Sequence, residues 1–227
     1  MEKIICALWG GENAQLLREL PGALSAAGAT HIRINLQDET VEPGAALRQV
    51  NTKPQMNAVA QFWVSTTYTP YLEAVHAALG HFSTRYAAWL VTESTVIANT
   101  NDPTNPGERT AGFSQLAFLG LPPRLTYDEW RTVWQGHHTK VAIETQSNFE
   151  YIQNVIVRAL TEDTPLVAGF VEECFPIEAL TDPFVFFDAV GDQAKFDANL
   201  ATMMDSCGRF IDFDRIDVLI TSQFNFA

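Results

Sequence analysis

Apolar positions along the chain keep to two periods, and each change from one to the other marks the boundary of an element. Lys3–Gly10 is a nearly continuous apolar run closed by Gly10-Gly11, the pattern of a buried strand. Leu16, Leu17, Leu20, Leu24 and Ala27 then form a helical stripe, interrupted at Pro21 and stopped at Gly28. His31–Leu36 alternates as a half-exposed strand with Ile32, Ile34 and Leu36 inward, and a polar stretch from Gln37 to Asn57 reads as a long loop with a helical turn over 45–50. A strand at 59–66, a helix at 69–79 ended by Gly80 and a strand at 86–98 complete a β-α-β-β-α-β order.

Asn99–Glu108 has the composition of an exposed connection, after which the order begins again. Strands are predicted at 110–121, 149–160, 166–175 and 217–224, with a helix from Thr126 and helical segments between Asp182 and Cys207. Each half has the ferredoxin-like arrangement, an antiparallel sheet with both helices on one face. The fold class is therefore α+β, in two tandem halves, 1–100 and 109–227, joined by a linker over 101–108. Two such sheets in one chain can close a barrel and bury faces that would otherwise meet water.

Most of the chemically capable residues fall between Thr126 and Leu160. Thr126 and Glu129 have the spacing of a capping box, so a helix starts there. Trp130, Trp134, His138 and Val141 follow at steps of four, four and three and share one face. After Glu144 the period becomes two. Phe149, Tyr151, Gln153, Val155 and Val157 form one strand face, and Glu150, Ile152, Asn154, Ile156 and Arg158 the other. The helix can thus set an imidazole over a strand face that carries a phenol and an amide.

With 27 acidic and 14 basic residues the net charge is −13, which opposes binding to nucleic acid or an anionic membrane surface. Cys6, Cys174 and Cys207 are far apart and odd in number, as expected of reduced thiols in a cytoplasmic protein. The N-terminal apolar run is too short for a secretory signal, and no run approaches the roughly 20 apolar residues of a membrane span. There is no phosphate loop and no dinucleotide fingerprint. Neighbouring histidines on a helix diverge, so His137 and His138 with a glutamate make a poor metal set, and neither metal nor cofactor is expected.

The segments Trp134-Gln-Gly-His-His138, Tyr151-Ile-Gln-Asn154, Phe170-Val-Glu-Glu-Cys-Phe-Pro176 and Arg209-Phe-Ile-Asp212 together resemble the EthD family of the dimeric α+β barrel superfamily, over roughly residues 109–224. His138, not His137, takes the family's histidine position. The resemblance implies a pocket between sheet and helices. EthD-like units are usually single modules that dimerise, whereas this chain carries a diverged half in front. Relatives in the superfamily include polyketide decarboxylases and cyclases, lactone isomerases, quinol-type monooxygenases and haem-binding enzymes, so the resemblance leaves the reaction open.

For His138 the functional role is general acid or base, set against a helix histidine that simply satisfies its hydrogen bonds. Tyr151 is suited to donate to a substrate oxygen, or else packs by its ring with the hydroxyl at the rim. Glu172 and Glu173 are adjacent on one strand, so one faces the cluster, as a base or as the group that orients His138; a buried ion pair with Arg109 or Arg158 competes. We assign catalysis to His138, Tyr151 and Glu172, and substrate contact to Trp134, Trp130, His137, Gln153, Asn154 and Glu173. Lys140 and Glu144 read as a surface ion pair. The expected protein is a cofactor-independent enzyme moving protons on a small hydrophobic carbonyl or aromatic compound, by decarboxylation, dehydration, cyclisation or isomerisation. The alternatives are a non-catalytic binding or accessory protein and a haem-dependent or cofactor-free monooxygenase. A homodimer is expected from exposed sheet edges and from the habits of the superfamily that the sequence resembles.

Overall fold

The structure is a computed structural model that describes residues 1–226. Its strands are β1 (Glu2–Trp9), β2 (Thr30–Leu36), β3 (Ala58–Val64), β4 (Arg85–Ile97), β5 (Phe113–Leu119), β6 (Glu150–Ala159), β7 (Gly169–Phe175) and β8 (Ile216–Asn225). They close one antiparallel barrel in the order β1-β3-β2-β8-β5-β7-β6-β4. Within residues 1–100 the spatial order is β4-β1-β3-β2, and after residue 109 it is β6-β7-β5-β8. The two stretches join where β2 pairs with β8 and β4 with β6. Because the barrel closes within one chain, the named strands present no free edge, and the edge-based reason for expecting a homodimer lapses.

The helices are α1 (Asn13–Arg18), α2 (Leu20–Ala26), α3 (Thr69–Phe82), α4 (Tyr127–Arg131), α5 (Thr139–Thr145), α6 (Pro183–Phe186) and α7 (Gln193–Phe210), with 3-10 turns at Glu42–Leu47 and Ile177–Leu180. Gly80 does not end α3, which runs on to Phe82. No helix among the described residues is long and apolar enough to cross a membrane.

Strand alternation sorts side chains into three apolar clusters. One packs α1–α3 on the outside of the N-terminal strands, with Leu16, Leu20, Leu24, Leu72, Val75 and Leu79 against Ile32, Ile34 and Leu36. A second packs α4–α7 on the outside of the C-terminal strands. The third fills the barrel itself, with residues of both halves, among them Ile5, Trp89, Phe118, Phe170 and Leu219. Phe118 lies edge-on to Phe170 at 4.8 Å and tilted to Trp89 at 5.6 Å between ring centroids.

Toward the other end the barrel interior turns polar, which corrects the view of β2 as half-exposed. Its second face points not to solvent but into the barrel. There Arg33 donates to Glu172 (2.6 Å) and Glu150 (2.9 Å), and Asn35 donates to Glu172 (2.7 Å). Gln61, Ser114 and Gln223 also donate to Glu172, at 2.7, 2.9 and 2.8 Å. The connection after β4 takes part as well, since Asn99 donates to Glu150 and Gln223 from the barrel mouth. Arg33, rather than Arg109 or Arg158, is the ion-pair partner. Arg109 binds backbone carbonyls and Arg158 binds Thr67.

Candidate functional site

The site is built by the helix that begins at Thr126. Its capping box forms, with Thr126 Oγ1 accepting from the Glu129 amide and the Glu129 carboxylate accepting from the Thr126 amide. Between α4 and α5 the chain winds as a π-helix over Thr132–His138, and the amide of Thr139 reaches back five residues to the Trp134 carbonyl. In an α-helix each step of four overshoots a full turn by about 40°; the wider π turn winds that drift back. Trp130, Trp134 and His138 are therefore all buried on one side. Single π turns recur at functional sites.

The two indoles lie 4.8 Å apart over Gly169 of β7. A Cβ at Gly169 would sit 2.7 Å from one Trp134 ring carbon and 2.9 Å from a Trp130 ring carbon. Glycine is required there by close approach. Gly169→Ala should cost about 1–3 kcal/mol and displace Trp134, read by denaturant unfolding together with tryptophan emission.

Between these helices and the outer face of β5–β8 lies a cavity of about 660 Å³, lined by Trp134, His138, Tyr151, Glu173, Phe186, Phe210, Met203 and neighbouring apolar groups. Tyr151 and Glu173 are directly opposite each other on β6 and β7. The Tyr151 oxygen accepts from Gln153 Nε2 (2.8 Å), which also donates to Thr139 Oγ1 (2.9 Å), and Thr139 in turn donates to the Trp134 carbonyl (3.2 Å). With the oxygen fixed as an acceptor, the phenol proton is available to the cavity. Burial, then the Glu173 carboxyl, raises the pKa of Tyr151 so far that it stays a phenol.

Among the described residues the Glu173 carboxyl receives one hydrogen bond, from Asn148 Nδ2 (3.1 Å), and no cation pairs with it. Burial pushes its pKa up to about 7. His138 pairs with Ser206 of α7 through Nδ1 (3.0 Å) and packs on Phe210 with ring centroids 4.6 Å apart. Burial, with a smaller contribution from His137, lowers its pKa to about 4, so the ring is neutral at pH 7.

Sequence-assigned residues thus divide. His138, Trp134, Tyr151 and Glu173 line the cavity, and Gln153 holds Tyr151 in place. Glu172 does not line this cavity. It points into the barrel, where Arg33 and four neutral donors use its oxygens; burial opposes its ionisation, but Arg33 and those donors hold its pKa down to about 2. Asn154 shares the barrel-facing side of β6, fully buried with no hydrogen-bond partner for its amide among the described residues. His137 is exposed to solvent, and Trp130 lies behind Trp134 without lining the cavity. Lys140–Glu144 is a loose surface pair at 3.6 Å. Ser206, Asn148 and Thr139 were missed; a serine inside the Met203–Ser206–Phe210 apolar stripe of α7 was the available signal.

Two cofactor readings can be tested on these residues. Glu150, Glu172 and Cys174 lie close enough to hold a metal ion, yet the Arg33 guanidinium bridges both carboxylates and Gln223 donates to all three residues, so a cation is already in place. Haem fits the cavity poorly: among the described residues no lysine or arginine lines it to meet two propionates.

The chain matches no family model and no curated protein. Among solved structures it resembles an anthrone oxidase-like protein at 8% identity and TM-score 0.54, covering 100% of this chain and 91% of the other. It also resembles a mutant chlorite dismutase from Candidatus Nitrospira defluvii at 11% identity and TM-score 0.50, covering 98% and 91%. At this identity the likeness shows the fold, an eight-stranded antiparallel barrel of the dimeric α+β type. The EthD resemblance finds no match of its own in these comparisons.

Proposed function

We propose that the chain is an enzyme moving a proton on a small hydrophobic ketone or aromatic compound without a cofactor, built from two ferredoxin-like halves of which the second is EthD-like. The repeated strand order of the halves supports the architectural part. The observation that carries the chemistry is Glu173: a buried carboxyl at a largely apolar cavity, with one amide donor, no cation and a pKa of about 7. A base poised near the working pH combines availability with driving force. His138, neutral and weakly basic, is the better hydrogen-bond partner and the poorer base.

In this scheme the Glu173 carboxylate takes a proton from the carbon next to a substrate carbonyl. The C–H bond pair becomes the new C=C bond of an enolate, and the charge on oxygen is met by the Tyr151 hydroxyl. Protonated Glu173 then returns the proton to a different carbon, for isomerisation, or to a departing hydroxyl, for dehydration. The same deprotonation would open a carbon acid to dioxygen, so the oxidase-like relative is compatible with a shared first step.

The test is deuterium exchange into a panel of neutral aromatic ketones such as 2-tetralone in D2O, followed by NMR. Exchange should be accelerated by the wild type and slowed in Glu173→Gln. Saturable binding without exchange for any member would favour the non-catalytic binding protein instead.

A further inference from the structure

We infer that the occupant of this cavity is uncharged, a phenol or ketone rather than a carboxylic acid, a conclusion that rests on the cavity being the substrate site and narrows its chemistry. The argument is the charge inventory of the walls. Of the described residues lining the cavity, Glu173 is the only acidic one and none is lysine or arginine. The remaining polar groups, Tyr151, His138, Gln49, Gln115, Gln146, Thr181 and the Cys207 thiol, are neutral donors and acceptors.

A carboxylate entering this space would give up its hydration without a cation to replace it. That is the costly form of burial. It would also lie in one low-dielectric compartment with the Glu173 carboxyl, where two negative charges repel strongly. The rest of the molecule adds to this, since a net charge of −13 slows the approach of anions. A flat uncharged aromatic meets none of these penalties. Phe186, stacked on Phe175 behind it with ring centroids 4.5 Å apart, and the Phe210 ring against His138 give the walls an aromatic character. The volume, about 660 Å³, is within the range of ordinary small-molecule sites.

The consequence for the reaction is specific. Decarboxylation needs a substrate carboxylate and is removed from the candidate chemistries, which leaves isomerisation, dehydration and cyclisation of neutral carbon acids. Glu173 then acts both as the base and as the group that rejects anions.

The test uses 2-naphthol and 2-naphthoate, alike in shape and opposite in charge state at pH 8, titrated into the full chain by isothermal calorimetry. Wild type should bind 2-naphthol at least about tenfold more tightly than 2-naphthoate, a factor corresponding to 1.4 kcal/mol. In Glu173→Gln the preference should shrink several-fold. Equal or tighter binding of naphthoate overturns the inference, and so does failure of 2-naphthol to bind, whereas binding of 2-naphthol alone bears it out. The outcome is separable from the proton-transfer reading. A preference for naphthol with no ketone exchange would sink the chemistry and keep the charge rule, whereas a preference for naphthoate with exchange intact would do the reverse.

Discussion

Arg33→Met should lower the unfolding free energy by about 3–5 kcal/mol, the usual cost of removing one partner from a buried ion pair. Arg33 comes from β2 and its partners Glu172 and Glu150 from β7 and β6, so the guanidinium ties an N-terminal strand to two C-terminal ones inside the barrel. Without it two carboxylates remain among apolar groups and amides. The loss should therefore come from stranded charge rather than from missing attraction. The triple variant Arg33→Met, Glu150→Gln, Glu172→Gln should recover most of the stability, since replacing all members of a buried ionic cluster is often close to neutral. Chemical denaturation at pH 7 measures both. A triple variant as unstable as the single one would show that Arg33 acts through packing instead.

The same cluster gives the acid limb of stability its sign. The folded pKa of Glu172 is lowered, so its contribution is complete above the ordinary carboxylate value of 4.5 and is lost as pH falls toward about 2. Glu150 works the other way, because burial outweighs Arg33 and raises its pKa. Acid unfolding of Glu172→Gln should accordingly be shallower than that of the wild type.

These two roles show where the sequence was legible and where it was not. Element order was readable because helical and strand periods alternate cleanly, and the Thr126–Glu129 cap marked the critical helix to the residue. The Trp130, Trp134, His138 stripe was readable although its backbone is partly π-helical, because steps of four suit the wider turn even better than the α turn. The choice between Glu172 and Glu173 was not readable. Adjacent strand residues face opposite ways, and a shift of one residue in register exchanges them. Only the pairing of Tyr151 with Glu173 across β6 and β7 settles which glutamate shares the tyrosine's face. Arg33 was hidden for a related reason. Alternation of polar and apolar residues on β2 looks the same whether the polar face meets water or a polar barrel interior. His138's partner was hidden because Ser206 lies 68 residues away on another helix.

Glu173→Gln should make the protein more stable at pH 8 while removing the proton transfer proposed for that residue, and the two effects have one cause. The folded pKa of Glu173 is raised from 4.5 to about 7. A group raised in this way contributes stability that is complete below about pH 4.5 and is lost as pH rises through about 7. At pH 8 the wild type therefore carries a buried charge whose cost, at 1.36 kcal/mol for each pKa unit, is on the order of 3 kcal/mol. Glutamine keeps the shape and the amide contact with Asn148 but cannot ionise. Its melting temperature should exceed that of the wild type at pH 8, and the difference should vanish near pH 4.5. Over the same range, ketone exchange by the variant should fall about 100-fold or more, the contribution typical of a positioned general base. A variant destabilised equally at both pH values would mean the carboxyl is not strained in the fold, and the case for Glu173 as a poised base would go with it. A gain in stability confined to high pH, with loss of exchange, would show that the fold tolerates an unpaired buried charge for the sake of the chemistry it allows.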